Sequence, residues 1–304
     1  MRALSLCLLL LSARVASQAA PVEHLYDLPG NFRSPSDIAL SPTGAVYVVD
    51  GLNHCIKSFD SNGKFLAAFG QKGSADGQFN YPLGLTVGAS GKVYVADSGN
   101  HRIQIFDPAG QFLAKIDLPS RNGKLADPTD LVADEPAHAC FIVDNDNHRI
   151  LHYDLPTLKL KQILGTPGTK RREFHYPFAI AQTRERDLCV VEVLNTRVQV
   201  LNPEGLFVTF IGDWGVDKGQ FYRPKGIAID DQDHVYVSDS YLGVVQIFDT
   251  TGRFLELVTD PDTGKVKKFT TPMGLGVDSQ RRLYVVEMTL NRVGVFRLLK
   301  ETNP

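Results

Sequence analysis

Cysteine, tryptophan and long apolar stretches are scarce in this chain, and each shortage narrows what it can be. Only four cysteines occur among 304 residues. No C-x-x-C, H-E-x-x-H or G-x-x-x-x-G-K-[ST] is present, so cytochrome, zincin and P-loop chemistry have no support. Asn-x-Ser/Thr sequons are absent as well. No segment sustains an apolar period of 3.6 over three turns, so almost no helix is expected. Beyond the first residues no apolar run approaches ~18, and no membrane insertion is expected.

The amino terminus is the exception. Met1-Arg2 is basic, and Ala3 to Leu11 is mostly apolar, about the length of a signal-peptide core and too short to span a bilayer. Small residues then offer a cleavage site near Ala19 or Ala20. The expected parts are a signal peptide, 1–20, and a mature chain, 21–304, in a secreted or periplasmic compartment. Cys7 has no small residue just before it, which argues against a lipoprotein anchor. Without Arg2 and Arg14, 30 basic residues face 34 acidic ones, a net charge of −4. That balance speaks against a nucleic-acid or anionic-membrane partner. Strand alternation puts Cys140 and Cys189 on opposite sheet faces, so free buried thiols are expected rather than a disulfide.

What the chain does have is a unit of about 47 residues, present six times. Its proline recurs as Pro35, Pro82, Pro128, Pro177, Pro224 and Pro272. Its acid recurs as Asp50, Asp97, Asp144, Glu192, Asp239 and Glu287. Each unit holds four short runs rich in β-branched and aromatic residues, bounded by turn residues. Asn62-Gly63, Ala109-Gly110, Glu204-Gly205 and Thr251-Gly252 mark tight turns between the third and fourth runs. The prediction is all-β: a six-bladed β-propeller of four-stranded antiparallel blades. Residues 24–28 look like a fourth strand without its own first three, and the last repeat ends after its third. The N-terminal strand should therefore close the ring and cover an edge.

A WD-type repeat carries Trp-Asp, and this chain has the single Trp214. Instead it reads Gly-Gln-Phe-x-x-Pro-x-Gly-(Ile/Leu)-x-(Ile/Val), then Val-Tyr-Val-x-Asp, then Asn-x-Arg-(Ile/Val)-Gln-(Ile/Val)-Phe-Asp. That pattern resembles the NHL-repeat family of six-bladed propellers. The resemblance implies a fold more than a function, because such propellers serve unrelated roles.

Four repeats pair the acid with an arginine: Asp97/Arg102, Asp144/Arg149, Glu192/Arg197 and Glu287/Arg292. A structural clamp, tying a loop or bridging blades, is the expected role. Repeat 5 has Val244 at the arginine position and repeat 1 has Cys55. His54, His101 and His148 are equivalent, but six-fold repetition disperses them by about 10 Å or more, too far to share a zinc ion. Ser36, Leu83, Thr129, Phe178, Lys225 and Met273 follow the repeat prolines and should lie nearest the axis. A peptidyl-hydroxyglycine amidating lyase resembles this fold and places zinc-binding histidines directly after that proline; here none of the six positions is histidine. Lactonase-like propellers hold axial calcium, yet Asp37 and Asp130 alone fall short of the 6–8 oxygens it takes, and both should bond local backbone. No metal, cofactor or catalytic residue is therefore assigned. The expected function is a secreted, monomeric, non-catalytic module binding protein, peptide or glycan on the face of the inter-repeat crossovers. Its candidate ligand residues are Arg171, Arg172, His175, Phe178, Arg223 and Lys225, with Tyr222 and Tyr241 nearby. A propeller lyase or hydrolase and an RNA-binding propeller are the alternatives.

Overall fold

The computed structural model describes residues 19–299. The expected signal peptide falls outside those residues except for Ala19 and Ala20. Repeat 1 sets the pattern: Pro35–Leu40, Val46–Asp50, Cys55–Phe59 and Phe65–Phe69 pair in sequence order, each antiparallel to the next. Repeats 2, 3 and 4 form equivalent separate four-stranded sheets. The strands of repeats 5 and 6 belong to one eight-stranded sheet. The architecture is an all-β propeller with small antiparallel four-stranded blades, and the described residues include no α-helix. Tight turns supply the reversals, with Gly63, Gly110, Gly205 and Gly252 at φ between +80° and +94°.

In the eight-stranded sheet, Ala19–Asp27 lies between Phe254–Thr259 of repeat 5 and Arg292–Leu298 of repeat 6. It begins five residues before the stretch expected from sequence. Val22 to Asp27 pair antiparallel with the last strand, and Ala19 to Pro21 pair parallel with Leu257 to Thr259.

Apolar side chains pack between repeats. Tyr47, Val49 and Ile56 of repeat 1 meet Phe79, Val95 and Phe106 of repeat 2. Similar clusters join each later repeat to its successor, and Leu28, Phe32 and Phe59 meet Tyr284 and Val293 of repeat 6. A fully buried phenylalanine contributes about 2–3 kcal/mol. Phe79, Phe174 and Phe221 each pack against a glycine at positive φ: a Cβ at Gly70, Gly165 or Gly212 would sit 2.3 Å from the ring. The six proline-led first strands line one central cavity of about 280 Å³.

Candidate functional site: the crossovers and the axis

The repeated acid is the anchor of each crossover. Every one of the six accepts the backbone N–H of the residue 17 positions earlier, at 2.6–3.1 Å. All six are essentially fully buried. Burial penalises a carboxylate, and N–H donors offset that penalty. For Glu192 burial still wins, leaving its carboxyl above the usual range despite Arg197 and Asn195.

The paired arginines complete the anchor. Arg102 Nε lies 2.8 Å from Asp97, Arg149 Nε 2.7 Å from Asp144, Arg197 Nε 2.7 Å from Glu192 and Arg292 Nε 2.9 Å from Glu287. Arg102 also donates to the carbonyls of Ala75 and Gln78, Arg149 to Pro119, and Arg197 to Thr169 and Lys170. The guanidinium thus holds the crossover that enters its own repeat. Gln104, Gln199 and Gln246, all buried, hold the crossovers into repeats 2, 4 and 5 through the carbonyls of Gln78, Glu173 and Gln220.

Repeat 1 supplies its cation from another position. Lys57, two residues after Cys55, puts Nζ 2.7 Å from Asp50. It occupies the register position that carries glutamine in repeats 2, 4 and 5. Among the described residues no cation pairs with the acid of repeat 5: Asp239 accepts N–H groups from Tyr222, Arg223, Tyr241 and Leu242.

The three equivalent histidines adopt φ of 53–58° and tie successive repeats. His54 and His148 accept from Tyr81 and Tyr176 N–H, while His101 contacts the Ala126 carbonyl. Among the described residues no group of three or more His, Cys, Asp or Glu side chains converges as a metal site. Cys140 and Cys189 are free and buried, and burial pushes both thiols up to about 12.

At the axis, Ser36, Leu83, Thr129, Phe178 and Lys225 surround a space of about 10 Å³. Glycine makes this closeness possible: a Cβ on Gly226 would lie 2.0 Å from the Met273 carbonyl, and one on Gly84 2.3 Å from that of Thr129. Ser36 Oγ donates to Leu83 O and Thr129 Oγ1 to Phe178 O, each across a repeat boundary. Asp37 and Asp130 also reach across, accepting from Leu85 and Ile180 N–H of the next repeat, and Asp37 keeps the expected local bond from Ile38. Asp130 adds one local bond, from Leu131. Burial raises the Asp37 carboxyl to about 7, and burial with the Asp37 charge raises Asp130 well above the carboxylate range.

The expected ligand cluster divides. Lys225 Nζ stands 3.8 Å from the centroid of Phe178, and burial, then Arg223, lowers it to about 8. Arg171 leaves the axis and lies 4.7 Å from the Phe207 ring, on the outermost strand of repeat 4. Arg172, His175 and Arg223 contribute backbone N–H groups to Gln199, Glu192 and Asp239. The side chains of Arg172 and Arg223 remain exposed. Tyr222 and Tyr241 pack on each other, centroids 4.2 Å apart. Sequence reasoning missed Lys57 and the three glutamines; the recurring Gln after Arg-(Ile/Val) was the available signal.

The NHL repeat family matches residues 32–59, 79–106 and 221–248. The Drosophila melanogaster protein brain tumor is 27% identical over 139 residues, 43% of this chain and 12% of that protein. The chain thus spans about an eighth of that relative's length. A streptogramin B lyase structure superposes with a TM-score of 0.66 at 13% identity, covering 91% of this chain and 97% of that one. A gluconolactonase of Xanthomonas campestris gives 0.67 at 16%, covering 92% and 90%. At such identities the likeness is one of fold. Among the described residues no helix is long and apolar enough to cross a membrane.

Proposed function

This chain is an NHL-repeat β-propeller, and we propose that it is a secreted, non-catalytic module that binds protein, peptide or glycan on its crossover face. We read the four separate sheets and the two halves of the eight-stranded sheet as six blades, with Ala19–Asp27 completing the last. The observation that carries the function is a contrast between the axis and the rim. While the cavity of about 280 Å³ lies further along the first strands, at the crossover end of the axis Ser36, Thr129, Asp37 and Asp130 all spend polar atoms on a neighbouring repeat, around a space of about 10 Å³. A space of that size is close to one water. The crossover side offers Trp214 and Tyr241 at 70% and 65% exposure, and the exposed Arg172 and Arg223. Aromatic residues and arginine are the common anchors of protein interfaces. Arg172→Glu with Arg223→Glu should abolish capture of a native partner from culture medium and leave the melting curve nearly unchanged. Capture that survives both reversals would end this reading.

A lyase or hydrolase acting at the axis is the second reading. It is favoured by Asp37, Asp130 and Lys225, three displaced titrations around one point. Stoichiometric zinc or calcium in purified protein would support it. RNA binding is a weaker third, given the net negative charge. A salt-dependent RNA mobility shift would support that one.

A further inference from the structure

Repeat 5 departs from repeats 2 to 4 at the arginine position, and a groove stands there. Where Arg102, Arg149 and Arg197 reach from the third strand to their crossovers, Val244 stops short. A cavity of about 270 Å³ stands beside Val244. Val216, Leu242, Leu257 and Val266 line it with Val244. Val244 and Leu257 are buried at its floor, and Val216 is 67% exposed at its edge.

Nothing inside calls for a cation, because Asp239 is already held by four backbone N–H groups. The rim carries positive charge. Lys218 occupies the crossover position of Asp76, which in repeat 2 lies 3.6 Å from Arg102. Lys268 stands opposite, with Nζ donating to the Leu242 carbonyl at 2.8 Å. Both lysines are exposed, and Asp217 is the one acid of the lining. Two substitutions, arginine to valine and aspartate to lysine, thus replace a self-satisfied ion pair by an apolar floor under a basic rim.

We propose that this groove docks an acidic peptide segment of a partner protein, seating one aliphatic side chain on Val244 and Leu257 and its flanking carboxylates on Lys218 and Lys268. This rests on the crossover-face reading and names the chemistry of the partner. Apolar burial supplies affinity, and the lysines select the sign of charge. The probe is a fluorescein-labelled peptide of glutamates around one central leucine, measured by anisotropy at low and moderate salt. Its controls replace leucine by glycine, or the glutamates by lysines.

The leucine–glutamate peptide should bind saturably and weaken with salt, and both controls should bind at least 10-fold more weakly. Val244→Arg, which refills the groove as in repeat 2, should weaken binding at least 10-fold. Lys218→Glu with Lys268→Glu, both at the surface, should do the same and guards against misfolding of the first variant. Lys64→Glu, an exposed residue on a turn away from the crossovers, should leave peptide binding within 3-fold. Equal binding of the acidic and basic peptides, or no binding of any, overturns the groove. If native-partner capture still depends on Arg172 and Arg223, the face survives that failure.

Discussion

Repeats 3 and 5 solve one problem in two ways. Each buries a carboxylate at the end of its second strand and hangs a crossover from it. Repeat 3 gives Asp144 a guanidinium, an asparagine amide and one N–H. Repeat 5 gives Asp239 four backbone N–H groups and no cation. The comparison teaches that the anchor is the set of donors and not the ion pair. Where backbone supplies the donors, the arginine position is free to change, and in repeat 5 it became valine.

The sharpest break is Arg149→Ala. Arg149 and Asp144 are both buried, so removal strands a charge and should cost about 3–5 kcal/mol. Chemical denaturation measures the loss, and adding Asp144→Ala should recover part of it. An unchanged loss in the double variant would mean that packing, not charge, dominates.

Asp239→Asn tests the other arrangement. An amide oxygen replaces two carboxylate oxygens that share four donors, so about 1–3 kcal/mol should be lost. Restoring an arginine through Val244→Arg should not rescue it, since no carboxylate remains.

Asp37 extends the comparison to the axis, where a second carboxylate relies on backbone N–H alone. Its folded value of about 7 lies above the unfolded one, so the folded state keeps a proton that the unfolded chain releases. That stabilisation is complete below the unfolded pKa and is lost as pH rises through about 7. Lys225, lowered to about 8, penalises the fold below that pH and relents above it. The melting temperature should therefore be lower at pH 8 than at pH 5.5 by roughly a few degrees. Asp37→Asn should shrink that difference; an unaltered pH profile would remove Asp37 as its source.

The smallest effect is expected far from any anchor. Lys64, exposed on the turn after Gly63, should tolerate Glu within about 0.5 kcal/mol and leave partner capture intact.

Much of this was legible in the chain. Proline and acid at fixed offsets set the repeats, and alternation set the strands. The buried acid–arginine pairs could be named because charges recurring inside β-branched runs require partners. The rest depended on distances across repeats. Nothing local says that Lys57 replaces the arginine absent at Cys55, since it is in register with Val48 and reaches Asp50 only through the length of its side chain. Arg171 sits beside Arg172 in sequence, yet the Phe207 ring draws it outward. The second partners of Asp37 and Asp130 were hidden because those N–H groups lie 48 and 50 residues away.

The strand Ala19–Asp27 carries a consequence in time. Glu23 meets Arg297, a residue 274 positions later. During synthesis the segment emerges early, and its hydrogen-bonding partners follow only with the last strand of repeat 5 and with repeat 6. For most of translation it must remain unpaired, an extended stretch able to dock on the wrong edge or on another nascent chain. Such distant pairing makes folding slow, because the entropy of bringing the ends together is spent before the contacts repay it. Assembly of this protein is thus expected to wait on the pairing of that strand.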